Sequence, residues 1–189
     1  MNFYISDTHF GHENIIGLDN RPFKTIEEHD EALIEYWNDV VGYNDDVYIL
    51  GDFCMYSTLK TQAILKRLNG RKHLIVGNHD GKSLKNPETR KMFAEITPYK
   101  EITDGEHFVV LSHYPIPTFN KHYYGAYHFY GHVHETEETN IIKHTQELIK
   151  AFYGEDKCNM YHVGCMVQGY RPRTFAEITG KGVKEATEE

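Results

Sequence analysis

A chain of 189 residues has room for one well-buried core and too little for two domains of ordinary size. With 40% apolar, 13% aromatic and 25% charged residues it has the profile of a globular protein, which excludes collagen-like, mucin-like and disordered chains. A formal charge of -8 argues against a broad basic surface that coats nucleic acid, since phosphate neutralisation needs clustered Lys and Arg; a small anionic substrate held by metal ions stays open.

Thirteen histidines are the compositional anomaly, and several stand beside glycine or aspartate at the ends of apolar runs. Cys54, Cys158 and Cys165 are odd in number and form no C-x-x-C pair, which argues against a disulfide framework and a thiolate zinc site. Reduced thiols and a cytoplasmic location are expected. The opening stretch Met1 to Asp7 has no basic region or long apolar run, and no later run approaches a bilayer's width, so neither secretion nor membrane insertion is expected.

In chain order, residues 2–6 read as a first strand and Asp7-Thr8-His9-Phe10-Gly11-His12 as the loop leaving it. Thr25 and Glu28 fit a capping box, and Ile26, Ala32, Leu33, Tyr36, Trp37 and Val40 carry helical spacing to about Val41. Residues 46–50 form a second buried strand closed by Gly51-Asp52, and a helix follows from Leu59 to about Leu68. The run His73-Leu74-Ile75-Val76 is a third strand, ending in Gly77-Asn78-His79-Asp80. Strand, helix, strand, helix, strand implies crossovers covering both faces of a largely parallel sheet.

The second half differs. A short helix is expected over 88–96 after Pro87, then antiparallel strands over 99–103 and 107–112 around Asp104-Gly105. Residues 114–125 read as a loop, followed by a strand through Tyr127, Phe129 and Tyr130 that ends at Gly131-His132-Val133-His134. A helix over 137–153 and closing strands near 158–166 and 173–178 complete a single domain over 1–189, with 180–189 frayed.

Five strand ends thus carry groups able to bind a hard or borderline cation: Asp7 with His9, Asp52, Asn78 with His79, His113, and His132 with His134. Ligands in α/β proteins gather at the carboxyl ends of strands, and positions two apart on extended backbone point the same way. Singly these patterns are weak. G-N-H-D arises by chance roughly three times in a thousand chains of this composition, whereas D-x-H arises roughly 0.7 times per chain, so the ordered combination carries the argument.

That order, D-x-H, G-D, G-N-H-D, an isolated histidine and G-H-x-H, resembles the calcineurin-like metallophosphoesterase superfamily across residues 7–134. The opening Ser6 to His12 with Arg21-Pro22-Phe23 is similar to a small bacterial and phage branch of it. The resemblance implies a four-layer α/β/β/α sandwich of two mixed sheets and a phosphoric ester hydrolase with two divalent metal ions. Manganese or iron is favoured and zinc or nickel is compatible with the oxygen and imidazole donors. It assigns Asp7, His9 and His134 to one metal, Asn78, His113 and His132 to the other, and Asp52 as the bridge. Cations about 3.5 to 4 Å apart need shared negative charge between them, and a bridging hydroxide then attacks phosphorus in line. His79 would stabilise phosphoryl charge or protonate the leaving oxygen, and Asp80 would either orient a histidine or satisfy local amides. His12 and Arg21 are substrate-contact candidates. Phe119, Tyr123, Tyr124 and Tyr127 are candidates for stacking a nucleobase, with packing as the alternative.

The expected substrate is a small phosphomonoester or a nucleotide phosphodiester. The chain lacks the acidic and arginine-containing extension that protein phosphatases carry after G-D, and His162 loosely matches a strand that lines the site in relatives. Competing readings are a catalytically silent scaffold of the same fold and a single-strand nuclease.

Overall fold

Strands buried on both faces need an apolar layer on each, and the alternation of the first two strands supplies it: Phe3, Ile5, Val47 and Ile49 face one way, Tyr4, Tyr48 and Leu50 the other. The computed structural model describes residues 1–134 and 136–181. In chain order they form β1 (Asn2–Ile5), α1 (Ile15–Leu18), α2 (Ile26–Val40), β2 (Asp46–Ile49), α3 (Thr58–Arg67), β3 (Arg71–Ile75), α4 (Pro87–Arg90), β4 (Glu95–Thr97), β5 (Tyr99–Asp104), β6 (His107–Ser112), β7 (Tyr127–Tyr130), α5 (Glu137–Tyr153), β8 (Met160–His162), β9 (Arg173–Thr174) and α6 (Phe175–Thr179).

Two mixed sheets result, ordered β4-β3-β2-β1-β9 and β5-β6-β7-β8. In the first, β1 to β4 run parallel and β9 antiparallel; in the second, β5 opposes β6 while β6, β7 and β8 are parallel. Leu33, Ile34 and Trp37 of α2 and Ile64 and Leu65 of α3 cover the outer face of the first sheet. Its inner face packs Tyr4, Tyr48, Leu50 and Ile75 against Val109, Leu111, Tyr127 and Phe129 of the second. Ile149 of α5 joins Val110, Tyr130 and Met160 on the far side, completing the four-layer α/β/β/α sandwich.

Several expectations need correction. The helices of both crossovers, α2 and α3, share one face of the first sheet, because β1, β2, β3 and β4 step in one direction and crossovers of constant hand return on one side. The expected helix over 88–96 closes after one turn: Asn86 caps it, then Phe93 enters the core and the Ala94 N–H donates to Lys72 O, turning 95–97 into an edge strand. The last expected strand lasts two residues, since Thr174 and Glu177 form a capping box that starts α6. The strand near 158–166 is confined to Met160–His162. Of the expected frayed tail, 182–189 lie outside the described residues. No helix among the described residues is long and apolar enough to cross a membrane.

One buried histidine serves the fold alone. The Ile116 N–H donates to His128 Nε2 at 3.0 Å, so Nδ1 carries the proton it donates to Val110 O at 3.1 Å. Burial pulls His128 from its usual 6.5 down to about 4. With the folded value below the unfolded one, its contribution to stability is complete above 6.5 and drains away as pH falls towards 4. Urea unfolding at pH 7 and pH 5 is expected to show a smaller acid-induced loss of stability in His128→Gln than in the parent, the full linkage being about 3 kcal/mol.

Candidate metal centre

The loops leaving β1 and β2 run side by side. The Asp7 N–H donates to Gly51 O at 3.1 Å and the His9 N–H to Asp52 O at 3.0 Å. The third loop joins them through the His79 N–H, which donates to Asp52 Oδ1 at 2.8 Å. From the second sheet, the Gly131 N–H donates to His113 O at 2.9 Å, and the His132 N–H reaches the Asp7 carboxylate oxygens at 3.1 and 3.2 Å.

This convergence explains the motif glycines. A Cβ on Gly77 would lie 2.4 Å from Asp52 Oδ1, and one on Gly131 would lie 2.5 Å from both Asp7 Oδ2 and Ser6 Oγ. Asp7, His9, Asp52 and His132 themselves hold positive φ, at 55, 49, 51 and 71°. Such backbone in non-glycine residues costs of order 1–3 kcal/mol each and persists where the surroundings over-determine it, typically at functional sites.

The side chains then face one another without satisfying one another. His9 Nε2 lies 3.7 Å, His113 Nε2 3.6 Å and His79 Nε2 3.9 Å from Asp52 Oδ2, all too long for hydrogen bonds. His9 Nε2 and His134 Nε2 stand 3.4 Å apart, and His134 Nε2 is 4.0 Å from Asp7 Oδ1. The spacing between the two nitrogens suits a shared cation about 2.1 Å from each. His113 Nδ1 donates to Leu50 O at 2.8 Å, which leaves its Nε2 lone pair 2.8 Å from Asn78 Oδ1, an atom that can only accept. His132 Nδ1 reaches the same oxygen at 3.1 Å. A cation would resolve the contact of His113 Nε2 with Asn78 Oδ1, and ligand atoms of Asp7, His9 and His134, and of Asp7, Asp52 and His113, gather within 4.8 Å. Burial, then the neighbouring His134, drives His9 down to about 2, keeping its lone pair free. Burial also pushes the Asp7 carboxyl above its usual value. Oxygen and imidazole donors with no thiolate fit a borderline divalent ion.

All seven expected ligands therefore meet in one crevice. His79, about half exposed, stands at its mouth, and the His12 ring lies 5.7 Å from that of His9. Of the remaining candidates, Arg21 fails as a substrate contact, while Asp80 and two of the four aromatics take the alternative roles expected of them. Arg21 cannot contact substrate: it is buried, and all five N–H groups are used, by Asp19 Oδ2 twice, the carbonyls of Asp7 and Thr8, and His29 Nε2. Asp80 orients no histidine; its carboxylate accepts the N–H groups of Asp52, Phe53 and Gly77 and so ties the second loop to the third. Phe119 and Tyr127 are core residues, leaving only Tyr123 and Tyr124 of the four aromatics exposed.

His162 lines a cavity of about 500 Å³ that opens beside His134, with Val133, Ile142, Met166 and Val167 in its walls. Its ring stacks on Tyr130, and burial lowers it to about 4. The residue that the sequence did not reveal is Asp19, whose oxygens take the His134 Nδ1 proton at 2.9 and 3.0 Å. Burial would raise Asp19, yet the bonds from His134 and Arg21 outweigh it and hold the carboxyl below its usual value.

The sequence profile of calcineurin-like phosphoesterases matches residues 3–106, which hold the first three of the converging loops. This chain belongs to that family. The family member is 48% identical over 80 residues to an uncharacterised protein of Methanocaldococcus jannaschii, covering 41% of this chain and 46% of that one. It is 33% identical over 130 residues to the gene 66 protein of Mycobacterium phage L5, covering 60% and 62%. The matches therefore span about half of these relatives' lengths. A crystal structure of a protein of unknown function from Aquifex aeolicus superimposes with a TM-score of 0.70 at 28% identity, covering 94% of this phosphoesterase-family chain and 96% of the other.

If close approach is what the motif glycines provide, Gly131→Ala should displace Asp7 and weaken manganese binding by about tenfold or more. Gly81→Ala, where an added Cβ meets nothing within 4 Å, should leave it unchanged. Isothermal titration calorimetry distinguishes the two.

Proposed function

We propose that the protein is a dinuclear metal-dependent phosphoesterase that hydrolyses a small phosphomonoester or a nucleotide phosphodiester. The observation that carries this reading is the set of three imidazole nitrogens, from His9, His113 and His79, that face Asp52 Oδ2 at 3.7, 3.6 and 3.9 Å, too far to hydrogen-bond it. On this reading Asp7, His9 and His134 hold one ion and Asn78, His113 and His132 the other, with Asp52 shared. Manganese or iron is the expected pair, and zinc or nickel would suit the same donors. When bound, the ions supply Lewis-acid polarisation of the phosphoryl oxygens and of the attacking water.

The chain's own groups do the rest. Asp52 supplies the negative charge that two adjacent cations require. Water adds to phosphorus as the P–O ester bond breaks, losing one proton to solvent, and His79, accessible at the crevice mouth, gives a proton to the departing oxygen and takes one back from solvent. His12 faces the phosphoryl group from the loop after β1. The cavity beside His134, whose walls mix Val133, Ile142, Met166 and Val167 with polar groups such as Thr139 and Asn140, receives the organic part of a small ester.

A panel of monoesters, cyclic and linear diesters, nucleotides and oligonucleotides, assayed with purified protein and added manganese, tests the reading. Turnover of a small ester is expected; activity on oligonucleotides alone would favour a nuclease, and none on any substrate a scaffold. His79→Ala is expected to keep its metal and lower kcat by about 10²-fold or more, and unchanged turnover would remove His79 from the chemistry.

A further inference from the structure

Beneath one half of the centre lies a buried chain of charges that the phosphoesterase reading does not itself require. Asp19 accepts the His134 Nδ1 proton with both oxygens, at 2.9 and 3.0 Å. Arg21 Nε and Nη2 donate to Asp19 Oδ2 at 3.1 and 2.8 Å, and both side chains are wholly shielded from solvent. The remaining Arg21 hydrogens hold Asp7 O at 2.8 Å, Thr8 O at 3.1 Å and His29 Nε2 at 2.8 Å. Arginine only donates, so His29 accepts at Nε2 and its Nδ1 proton goes to Asp30 Oδ1 at 2.8 Å. Asp30 in turn accepts the Gly11 N–H at 3.3 Å.

A single guanidinium thus ties together residues that enter the site from opposite sheets: Asp7 through its carbonyl, and His134 through Asp19. A carboxylate on the far nitrogen of a ligating histidine fixes its tautomer and raises its basicity. Among the described residues the other half has no carboxylate so placed: His113 is anchored by the neutral carbonyl of Leu50, and His132 Nε2 stands 3.9 Å from the exposed Glu138. The two halves are braced unequally.

We propose that Asp19 and Arg21 are positioning residues for the Asp7–His9–His134 half alone, so that disturbing them unloads that half and leaves the Asn78–His113–His132 half able to bind. The proposal rests on the metal-centre reading of the crevice and on no choice of substrate. Lysine cannot replace Arg21, since a point charge with three donors cannot make the five hydrogen bonds of the planar fork.

The test measures metal rather than turnover. Manganese is titrated into metal-free protein by calorimetry, and the electron paramagnetic resonance spectrum of the loaded sample separates a coupled pair from a single ion. The parent should bind two coupled ions. Asp19→Asn, close to isosteric, should weaken one step about 10- to 100-fold, leave the other unchanged, and give the spectrum of an isolated ion at limiting manganese. Asp19→Glu, which keeps the charge on Arg21 but moves the oxygens relative to His134, should weaken the same step and guards against a variant that fails to fold. In the metal-free parent, nitrogen-15 histidine labelling should show the His134 Nδ1 proton protected from exchange. Two coupled ions bound by a folded Asp19 variant as tightly as by the parent, or a freely exchanging His134 proton, would overturn the proposal alone. A parent that binds no divalent ion would overturn it together with the metal-centre reading.

Discussion

Asp52 sits where backbones from three loops come as close as backbones can, and its carboxylate faces imidazole nitrogens that do not bond it. Holding such an arrangement costs free energy: acceptors oppose acceptors, and four residues of the cluster hold left-handed backbone. The fold compensates with structure around the cluster. The parallel ladder of the first sheet continues past its strands through Asp7 to Gly51 and His9 to Asp52, and Asp80 clamps the second loop to the third with three N–H acceptances. Burial raises Asp80, while those same bonds favour its charged form. Rigidity imposed from below keeps the crevice from relaxing into satisfied hydrogen bonds above.

The convergence of the candidate ligands was legible because its rule is local. Each member follows an apolar run directly, and a strand end is visible in sequence as the place where alternation or burial stops. The four-layer arrangement was legible only through resemblance, since periodicity alone suggested helices on both faces of one sheet. What escaped were interactions set by tertiary burial. Asp19 lies in the polar stretch Leu18-Asp19-Asn20-Arg21, and its partner His134 is 115 positions away, so no spacing connects them. Arg21 reads as an exposed loop cation until its acceptors, drawn from positions 7, 8, 19 and 29, are brought around it. The Thr174–Glu177 capping box that replaces most of the expected strand over 173–178 is itself a local pattern, with the spacing of a helix start.

The histidine excess divides by partner rather than by position. His128 is closed by two backbone groups and His29 by an arginine and a carboxylate, so neither has a lone pair to offer. His73 pairs with Asp46 at 2.7 Å, and His107 stacks on Phe175 with centroids 4.3 Å apart. In His113 and His134 one nitrogen is committed to a carbonyl or carboxylate and the other is left aimed into the crevice. An occupied Nδ1 beside an Nε2 aimed into the crevice marks His113 and His134, whereas His9 leaves Nδ1 buried without a partner and His132 turns Nδ1 to Asn78.

Only Asp7, His9, Asp52 and Asn78 of the seven candidate ligands lie within the stretch matched by the family profile; His113, His132 and His134 come from the second sheet. Neither sheet holds a complete half of the centre, because His134 must reach Asp7 and His9, and His113 must reach Asn78. The relative placement of the sheets therefore sets the site, and it is fixed in the apolar layer between them. Tyr4, one residue before Ile5 at the end of β1, packs edge-on against Phe129 at 4.8 Å and donates its hydroxyl to Asp104 Oδ2 at 2.7 Å. A residue with no access to substrate thereby helps set the distance between Asp7 and the histidines that face it. Packing in the middle layer and geometry in the crevice are two readings of one constraint.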